Sequence, residues 1–362
     1  MKYLLRKIPA LFPRRSANLL HCRSPFYLCF EHVDNLGAYT ASRPETGSSH
    51  LICLRQLRLD GGEILMSMTL EDCRRFYSEE IRFAANISSM SLVGAFARVP
   101  RENFLGSGPW KIASVDLGLS GTTYTQTPDA DPRHLYHNVP VALDPARDLN
   151  NGQPAAVAKW IDALGLKSGM RVYHLGCGVG YFTALMAEMV GQTGKVVASE
   201  IDPELAARAS KNLAGYQNVS VHSGDGADFN PGQCDAMFIN AGVTHPHSRW
   251  LESLTMSGSL VLPLTIAAGM GMGANLGKGI MAKITRQANA FSASIVSFVA
   301  IYSCVGMRDA QLEQALGKAM GTGKVFKLRS LRCDAHELTD TCLVHGADLC
   351  FSSEEIDARA VA

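Results

Sequence analysis

The sequence contains no C-x-x-C pair, although it carries ten cysteines: Cys22, Cys29, Cys53, Cys73, Cys177, Cys234, Cys304, Cys333, Cys342 and Cys350. Cysteine and histidine form no tight, ligand-spaced cluster along the chain either, so the pattern predicts no metal site and reads as reduced thiols. No apolar run reaches the roughly 18–20 residues of a membrane span, so no membrane association is expected. Charge of one sign is also lacking: 34 Lys and Arg face 33 Asp and Glu. A broad nucleic-acid surface needs a basic surplus, and no nucleic-acid partner is expected. There is no internal repeat. What remains is a chain of 362 residues, 47% hydrophobic and 19% charged, with the composition of an ordinary globular protein of the cytoplasm. Its oligomeric state is not legible.

Acidic residues are missing from the first thirty positions, where Lys2, Arg6, Lys7, Arg14, Arg15 and Arg23 sit. That resembles a targeting segment, but Pro9, Pro13 and Pro25 break any amphipathic helix. From about residue 31 to 65 no period is sustained, and the chain then reaches Met66 and Met68. The expectation is a translational start at Met66 or Met68, with residues 1–65 a non-native or disordered extension; a targeting segment and a structured extension are the alternatives. Directly afterwards TLEDCRRFYSEEIRFAANI predicts a helix capped by Thr69. Residues 66–150 form a helical and loop-rich region, helical over 69–100 and rich in Gly, Pro, Asp and Thr over 105–150. Residues 151–305 form the core, and 306–362 a C-terminal α+β extension.

Within the core, element types alternate. RVYHL (171–175), KVVASE (195–200), VSVHSG (219–224), DAMFIN (235–240) and SLVLPLT (259–265) read as strands. YFTALMAEMV (181–190), PELAARASKNLAG (203–215) and HSRWLESL (247–254) read as helices between them. Strands joined through helices pair in parallel, which predicts an α/β fold: a doubly wound, mostly parallel sheet of Rossmann-like type. Further on, MAKITRQ, ASIVSFVAIYSCV and KVFKLRSL look strand-like and AQLEQALGKAM helical.

The chemistry concentrates in HLGCGVGYF (174–182), at a strand-to-helix turn. Gly176, Gly178 and Gly180 let backbone approach a ligand at the carboxyl edge of the sheet, and the next helix offers its N-terminal N–H groups. Glu200 ends the second strand, where a carboxylate accepts hydrogen bonds from two ribose hydroxyls. Asp225, in the Gly224-Asp225-Gly226 turn, ends the third and can reach an adenine amino group. The dinucleotide pattern G-x-G-x-x-G fails in either register, meeting Tyr181 or Thr183 at its third glycine. The pocket therefore suits a nucleoside without phosphates, S-adenosylmethionine, with Gly176, Cys177, Gly178, Gly180, Tyr181, Glu200, Ile201, Asp225, Gly226 and Asn240 as its contacts. Tyr181 reads as a cation–π contact to a sulfonium or as plain packing.

AFARVPRENF (95–104), NNGQPAAVAKWIDALGLKSGMRVYHLGCGVGYFTALMAEM (150–189), GDG (224–226) and GSLVLPL (258–264) resemble protein-L-isoaspartate O-methyltransferases over roughly residues 75–300. The resemblance implies methyl transfer from S-adenosylmethionine to a carboxylate of isoaspartyl residues in a protein or peptide, as a repair step. It also implies a Ser or Thr hydroxyl just before Pro154, where this chain reads Asn150-Asn151-Gly152-Gln153. Gly152 stands at the hydroxyl's position, leaving Asn151 and Gln153 as candidate amide donors to the acceptor.

A carboxylate acceptor is already ionised at neutral pH and needs no base. A hydroxyl or amine acceptor, on a small molecule or another protein group, needs one, and His245 and His247 in NAGVTHPHSRW are the candidates, His245 first. A cofactor-binding module without turnover is the third alternative. Asp144 and Arg147 read as acceptor contacts or surface loop, and Arg101 with Glu102 as an internal ion pair.

Overall fold

The computed structural model describes residues 68–118, 121–267, 276–288 and 290–356, without the side chains of 115–122. The expected extension over residues 1–65 and a start at Met66 lie outside these residues. The described chain opens with helices α1 (Leu70–Ala85), α2 (Met90–Arg98) and α3 (Glu102–Leu105). The stretch expected to be helical over 69–100 is made of two helices, the first matching the helix expected after Thr69. Thr69 and Asp72 cap the first reciprocally, and Asn86, in the left-handed conformation, ends it.

Residues 105–150 hold more order than their composition suggests. They form an antiparallel pair, β1 (Lys111–Gly118) with β2 (Gly121–Gln126), and a second small pair, β3 (Ala142–Asp144) with β4 (Leu149–Asn150). Then follow α4 (Pro154–Ala163), β5 (Arg171–Leu175), α5 (Tyr181–Val190), β6 (Lys195–Glu200), α6 (Pro203–Asn212), β7 (Val219–Ser223), β8 (Cys234–Ile239), α7 (Ser248–Ser253) and β9 (Leu254–Ala267). A long hairpin of β10 (Leu276–Gln287) and β11 (Ala290–Tyr302) leads to α8 (Ala310–Gly321) and three short strands, β12 (Ser330–Arg332), β13 (Cys342–His345) and β14 (Cys350–Ser352). KVFKLRSL is therefore not one strand: Lys324–Lys327 is a 3-10 turn entered through left-handed Gly323, and pairing begins only at Ser330.

All strands from β5 onward share one sheet in the order β13-β14-β12-β11-β10-β9-β8-β5-β6-β7. Strands β9, β8, β5, β6 and β7 are parallel, as the alternating sequence predicts, and β10 to β14 add antiparallel neighbours. The C-terminal extension thus continues the sheet. Strand order reverses beside β5, with β6 on one side and β8 on the other, so a ligand crevice opens at its carboxyl end. Side-chain alternation along β5 feeds two cores: Val172 packs with the layer of α1, α2, α4 and α5, and Tyr173 and Leu175 with α7 and α8.

His174 sits in the middle of β5, fully buried, stacked on Phe238 at 5.1 Å and bonded through Nδ1 to the Thr183 hydroxyl at 2.9 Å. Burial pushes its pKa down to about 3. Between the ordinary value near 6.5 and about 3, the unfolded chain carries a proton on this ring that the folded chain refuses. Stability therefore falls as pH drops through that window, by up to about 1.4 kcal/mol per pH unit from this group. His174→Phe is expected to flatten the fall in melting temperature between about pH 6.5 and 4. An equally steep fall in the variant would assign the acid sensitivity to other groups.

Two further expectations are corrected here. Arg101 and Glu102 do not pair with each other: the Arg101 guanidinium is spent on main-chain carbonyls, and Glu102 takes Arg74 at 3.5 Å and the Tyr136 hydroxyl. Metal-type ligands do cluster, because the β13–β14 hairpin brings Cys342, His345 and Cys350 beside His336 of the preceding loop, with their ligand atoms all within 4.8 Å. Sequence spacing alone does not show it, since the strands close the cluster in space.

Candidate active site at the carboxyl end of β5

The turn after β5 is fixed from below. Gly176 and Cys177 N–H groups both donate to the Ser199 carbonyl, at 2.9 and 3.1 Å. Asn240, just past β8, donates its main-chain N–H to Leu175 O at 2.9 Å and its side-chain amide to Gly176 O at 3.2 Å. Its place is thus that of a clamp on the glycine turn. The Gly178 N–H donates to Glu200 Oε2 at 2.7 Å, while Glu200 Oε1 accepts from the Asp202 N–H at 3.1 Å. Gly178 has φ +56°, and a Cβ built there would meet nothing within 4 Å. Open space over a left-handed glycine, beside a carboxylate with lone pairs to spare, is a cradle that fits a nucleoside cofactor.

Other expected cofactor contacts divide. Ile201 follows Glu200 and is 47% exposed, an apolar side chain held at the rim. Asp225 has one carboxylate oxygen on the Ala227 N–H at 2.9 Å. Gly226 is a packing glycine, since a Cβ there would come within 2.8 Å of Leu175 Cγ and the Tyr173 hydroxyl. Its carbonyl accepts that hydroxyl at 2.7 Å. Tyr181 is 1% exposed and lies edge-on to Phe96, Phe104 and Phe182, with ring centroids 5.3 to 6.2 Å apart. It belongs to the core, where plain packing accounts for it. Cys177 is buried, which raises its thiol pKa and keeps it neutral.

The segment before α4 crosses the same region. Gly152 has φ +79°, and a Cβ there would lie 3.2 Å from Val157 Cγ2 and 3.8 Å from Phe182 in the first turn of α5. Asn150 holds this bend by accepting the Gly152 N–H at 2.9 Å. A serine at 152 would thus need both a left-handed backbone and a shift of Val157, so the hydroxyl that the resemblance implies does not fit here without strain. Asn151 Oδ1 accepts from the Val141 N–H at 2.8 Å and from Arg101 at 3.4 Å, while its Nδ2 is buried with no hydrogen-bond partner. Gln153 is the N-cap of α4, but its side chain makes no capping bond, and Asn138 accepts the Ala155 N–H instead. Arg147 is engaged by Asp202 at 2.7 Å, which ties the 145–148 loop to the start of α6 and lowers the Asp202 pKa.

His245 and His247 come together elsewhere. Past Ile239 the chain threads between β9 and β11. Gly242 donates its N–H to Tyr302 O, and Val243 to Pro263 O at 2.9 Å. This carries both histidines to a cavity of about 630 Å³ lined also by Leu251, Asp309, Leu312 and Leu349, with no glycine-turn residue among its walls. His247 Nδ1 accepts the Arg249 N–H and caps α7. His245 is bonded through Nδ1 to Thr244 at 2.9 Å, and burial lowers its pKa against the pull of Asp309.

Residues 125–272 match the family model of protein-L-isoaspartate(D-aspartate) O-methyltransferase. Protein-L-isoaspartate O-methyltransferase 1 of Archaeoglobus fulgidus is 32% identical over 201 residues, which cover 54% of this chain and 82% of that protein. The chain belongs to this family. A second Archaeoglobus fulgidus protein of the same name, numbered 2, is 34% identical over 161 residues, covering 41% of this chain and 73% of its own length. Protein-L-isoaspartate O-methyltransferase of Thermotoga maritima is 29% identical over 180 residues, 48% of this chain and 50% of that one. The protein is accordingly an S-adenosylmethionine-dependent methyltransferase, and the glycine turn with Glu200 fits that cofactor. Arg101 and Asn138 were not singled out as site-building by sequence reasoning. Their types are common, and the carbonyls and amides they serve become neighbours only on folding.

Proposed function

We propose that the protein methylates a carboxylate of isoaspartyl residues in proteins or peptides, a repair reaction, with the acceptor lying against the Asn151–Gln153 segment. The observation that carries this reading is the chemistry of that segment, which presents amides and no base. The Asn151 Nδ2 donor is buried without a partner, an arrangement that ordinarily costs about 1–3 kcal/mol. An ionised carboxylate is the acceptor that such a donor suits, and it attacks without losing a proton. His245, the base an alcohol or amine would need, is committed to Thr244 in a different cavity.

S-adenosylmethionine, when bound, supplies a methyl group on a positively charged sulfur. The chain's own part is positional. Glu200 would take the ribose hydroxyls, Ile201 would lie against the adenine, and Asp225 would receive its amino group. Asn240 holds the glycine turn still, and Asn151 and Gln153 orient the acceptor carboxylate. An acceptor carboxylate held there would already be ionised and would need no base from the chain.

The test is methyl transfer from labelled S-adenosylmethionine to an isoaspartyl peptide beside its aspartyl twin, with cofactor binding measured separately. Labelling confined to the isoaspartyl form is expected. Cofactor binding without any labelling would remove the isoaspartyl acceptor and leave the methyltransferase assignment standing.

A further inference from the structure

We propose that His336, Cys342, His345 and Cys350 form a structural Zn²⁺ site that fastens the last strands to the sheet. Their four ligand atoms, one from each side chain, all lie within 4.8 Å of one another. Two sulfurs and two imidazole nitrogens are a donor set that favours tetrahedral zinc. Zinc–sulfur and zinc–nitrogen bonds of about 2.3 and 2.0–2.1 Å in a tetrahedron place sulfur and nitrogen about 3.6 Å apart. Cys342 Sγ and His336 Nε2 already stand at 3.6 Å.

The surroundings are built for ligation. His336 Nδ1 lies 2.9 Å from the Asp334 carbonyl, which fixes the proton on Nδ1 and leaves the Nε2 lone pair facing the cluster. The Thr339 N–H points at Cys342 Sγ at 3.4 Å, a bond that steadies a thiolate. His345 Nδ1 is buried with no hydrogen-bond partner, and Cys350 is fully buried. The two imidazole rings stand 4.9 Å apart at 68°, positioned to share one cation.

Local backbone explains how the residues meet. Cys342 and His345 are three apart, which in a regular strand puts them on opposite faces. The register of β13 against β14 shifts between Cys342 and Val344, and this bulge turns both inward, with His345 directly opposite Cys350. Strands β12, β13 and β14 have three, four and three residues, little to hold a sheet edge by ladder bonds alone. A closed site with four protein ligands and no open position is structural, and it lies at the opposite end of the sheet order from β5 and β6.

The experiment uses the full chain purified under reducing conditions without a chelator. Elemental analysis is expected to find about one zinc per chain. Cobalt(II) exchanged into the wild type is expected to give the visible absorption of tetrahedral cobalt and a thiolate charge-transfer band. Cys342→Ala with Cys350→Ala is expected to lose both the zinc and the cobalt bands. Three results would overturn the proposal: reduced wild type that holds neither metal, zinc retained equally in the double variant, or a Cys342–Cys350 disulfide in the chain as isolated. The wild-type cobalt spectrum decides the matter even if the double variant does not fold.

Discussion

Glu200→Ala is expected to weaken S-adenosylmethionine binding about 100-fold, read by titration calorimetry. The carboxylate offers about four lone-pair positions. Two of them already serve the chain, one for the Gly178 N–H at 2.7 Å and one for the Asp202 N–H at 3.1 Å. The remaining pair suits the two adjacent hydroxyls of a ribose. Hydrogen bonds to a charged acceptor contribute about 1.5 kcal/mol or more each, so two lost bonds amount to about 3 kcal/mol, the stated factor. Glu200→Gln is expected to be nearly as damaging, because its NH₂ would face one of the two main-chain donors and give up that site. A Kd unchanged in the alanine variant would remove Glu200 from the cofactor pocket.

Arg101→Met is expected to destabilise the fold by about 3–5 kcal/mol, measured by denaturant unfolding. The side chain is fully buried, and its guanidinium donates to Leu135 O at 2.6 Å, His137 O at 3.1 Å and Val139 O at 2.8 Å. It also reaches Asn151 Oδ1 at 3.4 Å and lies 5.7 Å over the Tyr77 ring. Methionine fills similar space but strands three carbonyls, each costing about 1–3 kcal/mol where water does not reach it. Lysine is expected to rescue little, since an ammonium lacks the planar fork that reaches carbonyls on both sides. Because the same guanidinium steadies Asn151, methyl transfer in Arg101→Met is expected to fall even where the protein remains folded. A loss of less than about 1 kcal/mol would show that the 135–139 turn holds itself together.

The core was legible because its signals are local. RVYHL and KVVASE are short apolar runs bounded by turn residues, and the structure gives them as strands over the same residues. The glycine turn could be placed between a strand and a helix because its neighbours have no other reading. Tyr181 was harder, since its ring is claimed by Phe96 and Phe104 from helices about eighty residues earlier. The fate of His245 depends on Gly242 and Val243 pairing with strands that come later in the chain. Nothing in NAGVTHPHSRW encodes that. The His336, Cys342, His345 and Cys350 group escaped for a related reason: a bulge, not an interval between residues, brings Cys342 and His345 to one side, and strand pairing sets Cys350 opposite.

The stretch from Asn240 to Thr244 is a seam. It bonds in turn to the end of β5, to the glycine turn, to Pro263 and Thr265 of β9, to Tyr302 of β11, and to Met307. These anchors lie on different stretches of chain, so the rim of the crevice is already assembled before any ligand arrives. The entropy of ordering that rim is met during folding, and little of it is left to be lost on binding. Much of the contact energy with a cofactor can then appear as affinity, and the grip on the nucleoside is a property of the whole sheet rather than of one loop.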